Sequence, residues 1–367
     1  MADMMDYLTW RGDLRFDQAA FCPVDGLILC CLSYVRFEGV VPGWDMPAGV
    51  PLRDAAQAFL AQPPSQRVTR VHQDEALLAA AAQTRRFADV RLCGYESRFD
   101  PQQERQFAAV TAVLPDGTAA VVFRGTDSTL VGWKEDFNMS FLPVVPAQLD
   151  AAAYLVRAAA HTAGPVFVTG HSKGGNLAVY AAASAPDALR PRIKAVWSND
   201  GPGFGQQMLA SAGYQAIAGQ VQSFVPHSSV VGMLLSHEEA YRVVRSNQVG
   251  IWQHDPYSWV LRGPAFDCLD GLTRTSVLLD RTLKNWVAAM APEQRGAMID
   301  CIYQLFAATN AQTLSELPAA GLRNFHQVRQ VWQETTPENK RMLQHTAQLL
   351  WAAARASIAR AQEDPPA

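Results

Sequence analysis

Cysteine pairs, long apolar runs and charge of one sign are all scarce here, and each scarcity removes a class of function. The six cysteines (Cys22, Cys30, Cys31, Cys93, Cys268 and Cys301) form no CxxC and show no metal-ligand spacing. Neither a zinc site nor a disulfide framework is therefore expected, and reduced, mostly buried thiols in a cytoplasm are the default. The longest apolar runs, such as Gly26 to Cys31, are far too short to span a bilayer, so no stable membrane insertion is expected. The N-terminus, Met1 to Asp6, is acidic and has no apolar h-region, so no signal peptide is expected. Charged residues make up 18% and the formal net charge is −3, which gives no reason to expect nucleic acid or an anionic membrane surface as partner. There is no Gly-rich phosphate loop, no internal repeat and no low-complexity tract beyond a short acidic tail. No cofactor and no metal are expected, and the oligomeric state is not legible.

What remains is 367 residues, 49% of them hydrophobic, enough for one large α/β domain with helical additions or for two domains. The first 60 or so residues read as helical and irregular, with a helix over Val24 to Tyr34. Asp74 to Thr84 is an Ala/Leu-rich helix. The pattern then switches to period two, predicting strands at Val90 to Phe99, Gln106 to Leu114 and Thr118 to Arg124. The last two are joined by a Pro115-Asp116-Gly117 turn. Trp133 to Phe141 is a short amphipathic piece and Pro146 to Thr162 a helix. Strands follow at Val166 to Thr169, Ile193 to Ser198, Val221 to Val225 and Ala240 to Val244, with helical segments between them. That alternation predicts a mainly parallel sheet flanked by helices on both faces. From about Gly263 no strand signal remains. Thr273 to Met290, Pro292 to Thr309 and Pro337 to Arg360 read as helices. The expected division is a core over 1–262, with a helical N-terminal lead-in, and a helical extension over 263–367.

The chemistry concentrates at Val166 to Tyr180. There a β-branched run meets Gly170-His171-Ser172-Lys173-Gly174 and passes into an Ala/Leu/Val helix. This is a G-x-S-x-G nucleophile elbow with the strand before and the helix after that it needs. Ser172 becomes a nucleophile only if a base lies within reach and a third group orients that base. In the α/β-hydrolase arrangement the acid and then the histidine follow the serine in the chain. His254 is the favoured base, since it lies in an aromatic-rich loop after the last predicted strand. His227 follows the strand ending at Val225 and is the alternative. His237 looks like part of a solvated helix start, and His326 and His345 belong to the late helices.

Asp200 ends a strand and precedes Gly201-Pro202-Gly203 at the sheet's carboxyl edge, so it is the favoured acid, with a plain Asp-Gly turn as the competing account. The usual alternative position reads Pro226-His227-Ser228-Ser229 and holds no carboxylate, and Asp255 suits turn capping. An oxyanion hole would use the backbone N–H of Lys173 and a donor from Thr126, which follows Phe123-Arg124-Gly125. The Lys173 side chain is expected to point outward as a surface charge. Trp133, His171 and Trp252 are placed at the substrate. Apolar residues near the supposed entrance (Phe137, Met139 and Met233 to Leu235) would suit an acyl chain or core packing equally. The segment around Trp133 and Phe137 reads either as a lid over 131–141 or as a packed amphipathic helix.

The block Phe123-Arg124-Gly125-Thr126, with Trp133 and Asp136, resembles the F-R-G-[ST]…W…D block of class 3 lipases. A closer resemblance is to the Mbeg1-like family, a bacterial α/β-hydrolase family. It rests on four blocks in order: Asp6 to Asp13, Gly170 to Asn176, Asn199 to Phe204 and Gln253 to Pro256. The resemblance implies the α/β-hydrolase fold and a site at Ser172, His254 and Asp200, without naming a substrate. The expectation is a serine hydrolase acting on an acyl ester through an acyl-serine. An acyltransferase or thioesterase using the same intermediate, and a non-catalytic binding module on the same fold, are the alternatives.

Overall fold

In the computed structural model the described residues are 1–127, 129–139, 142–229, 231–232, 241–273, 291–311, 316, 320, 323–345 and 348. The predicted helix over Thr273 to Met290 therefore lies almost wholly outside them, as do His237 and the Met233 to Leu235 segment. The described strands are β1 (Val50–Pro51), β2 (Arg91–Asp100), β3 (Arg105–Val113), β4 (Ala119–Phe123), β5 (Val166–His171), β6 (Ile193–Asn199), β7 (Val221–Pro226), β8 (Tyr241–Val244), β9 (Leu261–Arg262), β10 (Ala265–Phe266) and β11 (Cys268–Leu269). Nine of them form one sheet in the order β1-β2-β3-β4-β5-β6-β7-β8-β11. β1 to β4 pair antiparallel, β4 to β8 pair parallel, and β11 closes the far edge antiparallel to β8.

Period-two alternation in the central strands serves two cores rather than one core and solvent. Val121 and Phe123 of β4 face a cluster with α6 (Pro146–Ala160), α7 (Lys173–Ala183) and α8 (Ala212–Ile217). Ala120 and Val122 face a second cluster built on α1 (Met4–Arg11), α2 (Pro23–Leu32), α3 (Leu52–Leu60) and α4 (Gln73–Gln83). The helices on both faces thus come from different places. Crossovers between sequential parallel strands cover one face, and the N-terminal helices cover the other. Helix α2 is apolar nearly all round, and every residue from Val24 to Leu32 is buried, as such a helix must be.

That burial includes the one charge in α2, Asp25, which meets Tyr7 of the first of the four resemblance blocks. Arg86 Nε and Nη2 donate to the two Asp25 carboxylate oxygens at 2.7 and 2.5 Å, and neither side chain is exposed. Tyr7 donates its hydroxyl to Asp25 at 2.8 Å. The remaining guanidinium hydrogens go to the carbonyls of Leu14, Ala19 and Ala20. The N-terminal segment is thereby tied down through polar groups that are all satisfied, which is the condition for burying a charge.

One expectation changes, and one of two open alternatives is the one observed. Strand structure does not stop at Gly263, because β9 turns into β10, and β11 joins the main sheet. Strands of two residues are too short to show a periodicity. The boundary drawn between 262 and 263 falls inside this hairpin. The 131–141 segment contains helix α5 (Leu130–Asn138), whose Glu135 is fully buried against the core. It is a packed helix, pinned on its outer side by Lys134 to Glu104 at 2.6 Å and Asp300 at 2.8 Å. No described helix is long and apolar enough to cross a membrane.

Candidate active site

The register of two parallel strands sets the site. β5 and β6 pair with His171 opposite Asn199, so the following residues, Ser172 and Asp200, leave the sheet's carboxyl edge side by side. The Ser172 N–H donates to the Asn199 carbonyl at 2.9 Å, and the Asp200 N–H to the Phe224 carbonyl at 2.7 Å. Ser172 and Asp200 lie at positive φ, +60° and +51°, a region that costs a non-glycine residue about 1–3 kcal/mol and that clusters at functional sites. The elbow turns tightly enough that a Cβ at Gly170 would strike the Gly174 carbonyl, and one at Gly174 the Phe123 carbonyl. Asn176, one turn into α7, donates to the carbonyls of Pro202 at 3.1 Å and Gly203 at 3.0 Å. The loop after Asp200 is thereby fastened to the elbow helix.

His254 arrives on a 3-10 turn, Gly250–His254, that follows β8. Its Nε2 lies 3.0 Å from Ser172 Oγ and its Nδ1 2.7 Å from Asp200 Oδ2. A carboxylate only accepts, so Nδ1 carries the proton and Nε2 faces the serine hydroxyl as acceptor. Asp200 is fully buried. Its other oxygen accepts from Ser229 Oγ at 2.5 Å and from the Gly232 N–H at 3.1 Å, so the buried carboxylate is saturated with donors.

Around this line stands a second layer that sequence reasoning did not find. His171, assigned above to substrate, is buried with both ring nitrogens engaged by protein. Its Nε2 donates to the His254 carbonyl at 2.9 Å, and its Nδ1 accepts from Tyr34 Oη at 3.1 Å. Burial first, then the neighbouring His254, pushes the His171 pKa well below the usual histidine value, so the ring is neutral. The Tyr34 ring lies under the Arg70 guanidinium at 4.7 Å, and Arg70 pairs with Asp255 at 3.2 Å. Asp255 also accepts from the Tyr257 N–H, the turn-capping role expected of it. On the other side of His254, the Gln253 carbonyl takes the Trp259 indole N–H at 3.0 Å. Gln253 Nε2 donates to His227 Nε2 at 2.9 Å, which occupies the alternative base.

The main correction lies at Lys173 and Thr126, the expected oxyanion donors. Lys173 does not point outward: its ammonium is buried, donating to the Gln106 carbonyl at 2.8 Å, Gln106 Oε1 at 2.7 Å and Glu135 Oε2 at 3.0 Å. A residue type that usually seeks water is held inside because α5 brings Glu135 beside it, and helical spacing alone could not reveal that partner. Thr126 donates its hydroxyl to Asp136 of the same helix. Burial pushes the Asp136 pKa up to about 6, against the lowering effect of Lys173.

Trp133 packs at a tilt against Phe137 and against Phe306 of the Pro292–Ala307 helix, at 4.3 and 5.2 Å between ring centroids, so it packs α5 beneath that helix. Trp252 is 70% exposed, two residues before His254. Met139 is buried, in the core shared with α6 and α7. His326 falls in the Phe325–Glu334 helix and His345 in a later helical stretch. Among the described residues no group of three or more His, Cys, Asp or Glu could hold a metal ion.

The profile of the Mbeg1-like family matches residues 81–304. No curated protein sequence matches the chain. Among solved structures, it is similar to the native Rhizomucor miehei lipase propeptide complex at 19% identity, covering 48% of this chain and 60% of that one, with a TM-score of 0.34. A two-residue deletion mutant of that complex gives 18%, 53%, 64% and 0.36 in the same order. A fungal lipase–inhibitor complex gives 17%, 55%, 81% and 0.32. The chain thus spans about three fifths of the length of the first two.

Proposed function

The chain belongs to the Mbeg1-like family, and from that premise we propose that it is a serine hydrolase cleaving an acyl ester through an acyl-serine intermediate. The observation that carries this reading is the unbroken hydrogen-bonded line Ser172 Oγ–His254–Asp200, with the acid buried and saturated. In the first step His254 Nε2 takes the proton as Ser172 Oγ attacks the carbonyl carbon. Asp200 steadies the imidazolium without accepting its proton. The backbone N–H groups of Lys173 and Thr126 hold the oxyanion, aided by the N-terminal end of α7. His254 then hands the proton to the leaving alcohol, and a water activated by the same nitrogen releases the acid.

Trp252, open to solvent on the loop that carries the base, would offer an apolar face to the acyl group. A thioester, or an alcohol in place of water, would use the same acyl-serine, and product analysis separates these outcomes. All six cysteines are unbridged, which suits a cytoplasmic protein.

The test is covalent labelling with a fluorophosphonate probe, followed by a series of p-nitrophenyl esters of increasing chain length. Wild type should label and hydrolyse, whereas Ser172→Ala and His254→Ala should do neither. Labelling retained in Ser172→Ala would remove the assigned nucleophile. A folded wild type inert to probe and esters would favour the non-catalytic binding module.

A further inference from the structure

Resting on that reading, we infer that the Lys173 side chain is a positioning residue that locks the two oxyanion donors to one another. A lysine is a costly choice at this place. It is the first residue of α7, where the positive end of the helix dipole disfavours a cation, and its side chain has no exposure to water. What offsets that is a complete set of acceptors. The three ammonium hydrogens go to two oxygens of Gln106 on β3 and to Glu135 Oε2 on α5.

Glu135 is itself fixed from two further directions. Its Oε2 accepts from the Gln106 N–H at 2.9 Å and its Oε1 from the Ala147 N–H at 2.9 Å, so α5, β3 and the start of α6 meet at one carboxylate. The next residue, Asp136, accepts the Thr126 hydroxyl, and its other oxygen lies 3.9 Å from Lys173 Nζ. That oxygen has no hydrogen-bond partner among the described residues. One turn of α5 therefore reads both halves of the oxyanion site. Glu135 holds the residue that supplies the elbow N–H, and Asp136 holds the residue that supplies the other donor. Lys173 joins them, and its removal frees the elbow to drift relative to Thr126 although each backbone N–H is still present.

The experiment compares wild type with Lys173→Met, which retains the backbone N–H and most of the volume. The readouts are kcat and KM on a p-nitrophenyl ester and the Ki of an alkylboronic acid that forms a tetrahedral adduct on the serine. The expected result is a kcat lower by up to about 100-fold, as for a catalytic group displaced by about 1 Å, with KM little changed and Ki raised in proportion. A partly unfolded preparation would lower kcat but leave Ki unmoved, so Ki separates positioning from loss of structure. Should the single variant not fold because Glu135 is left unpaired, Lys173→Met with Glu135→Gln removes both charges and is read in the same way. A Ki and kcat within about threefold of wild type in either variant overturns the inference while leaving the hydrolase reading intact. So does recovery of wild-type kcat in the double variant, since the single loss would then come from an unpaired carboxylate. A wild type that neither hydrolyses nor labels overturns the inference together with the hydrolase reading.

Discussion

The His171 ring stands 4.7 Å from the His254 ring, centroid to centroid, and hydrogen-bonds the His254 backbone carbonyl at 2.9 Å. One histidine thus holds the main chain of the other while presenting it with an uncharged face. The proposed reaction requires a neutral His171, since a second cation against His254 would oppose the imidazolium formed in its first step. Burial keeps His171 neutral.

Replacing His171 by Asn should lower kcat about tenfold with little change in KM, because a 1 Å error in the base already costs about 100-fold and the backbone retains its other anchors. The pH dependence has a definite sign. A histidine whose folded pKa is depressed contributes stability that is full above the unfolded value of about 6.5 and is lost as pH falls below it. Thermal melts of wild type should therefore lose Tm more steeply than His171→Asn between about pH 6.5 and 5. Parallel curves for the two proteins would mean that His171 is not held neutral by its surroundings.

Asp200 is saturated by His254, Ser229 and Gly232, so Asp200→Asn should keep the fold but lose the acceptor that sets the His254 tautomer. The expected fall in kcat is about 10⁴-fold, with melting close to wild type. Ester hydrolysis beside circular dichroism measures the two quantities. A fall below about tenfold would show that some other acid orients the base.

Asp136 makes a stability prediction of the opposite sign to His171. Lys173, Glu135, His254 and Thr126 all face it, and burial still raises its pKa from 3.8 to about 6. A carboxyl group raised in the folded state contributes stability that is full below the unfolded value and is lost as pH rises through the folded one. Asp136→Asn removes that loss. The Tm of the variant relative to wild type should therefore be higher at about pH 8 than at about pH 4.5, as read by differential scanning fluorimetry at the two values. An unchanged difference would mean that the carboxylate is fully compensated in place.

The Asp25–Arg86 pair tests the N-terminal tether. Arg86→Met leaves Asp25 buried without its main partner and three backbone carbonyls without donors. The expected cost is about 3–5 kcal/mol, measurable by urea denaturation. Arg86→Met with Asp25→Leu should recover part of it, because an uncompensated charge costs more than a missing pair.

The elbow and the central strands were legible without any structure, and each rests on short-range physics. Apolar runs rich in β-branched residues predict Ala119–Phe123 and Val166–His171 within two residues, because such runs suit strands covered on both faces. Pro115-Asp116-Gly117 marks its turn, and Gly117 indeed sits at φ +82°. Gly170 and Gly174 announce a close approach that only glycine tolerates.

Tertiary structure alone decided which polar side chains meet. Lys173 looked like a surface charge because nothing within a helical turn of it is acidic; its partners lie 38 and 67 residues away. His171 looked free for substrate because Tyr34 is 137 residues distant. Such contacts are set by strand register and helix packing, which bring sequence-distant groups into a low-dielectric interior and require each to find a partner there. Periodicity and turn chemistry therefore predict where Ser172 sits in this chain, while the packing of α5 and the N-terminal helices determines what holds it in place.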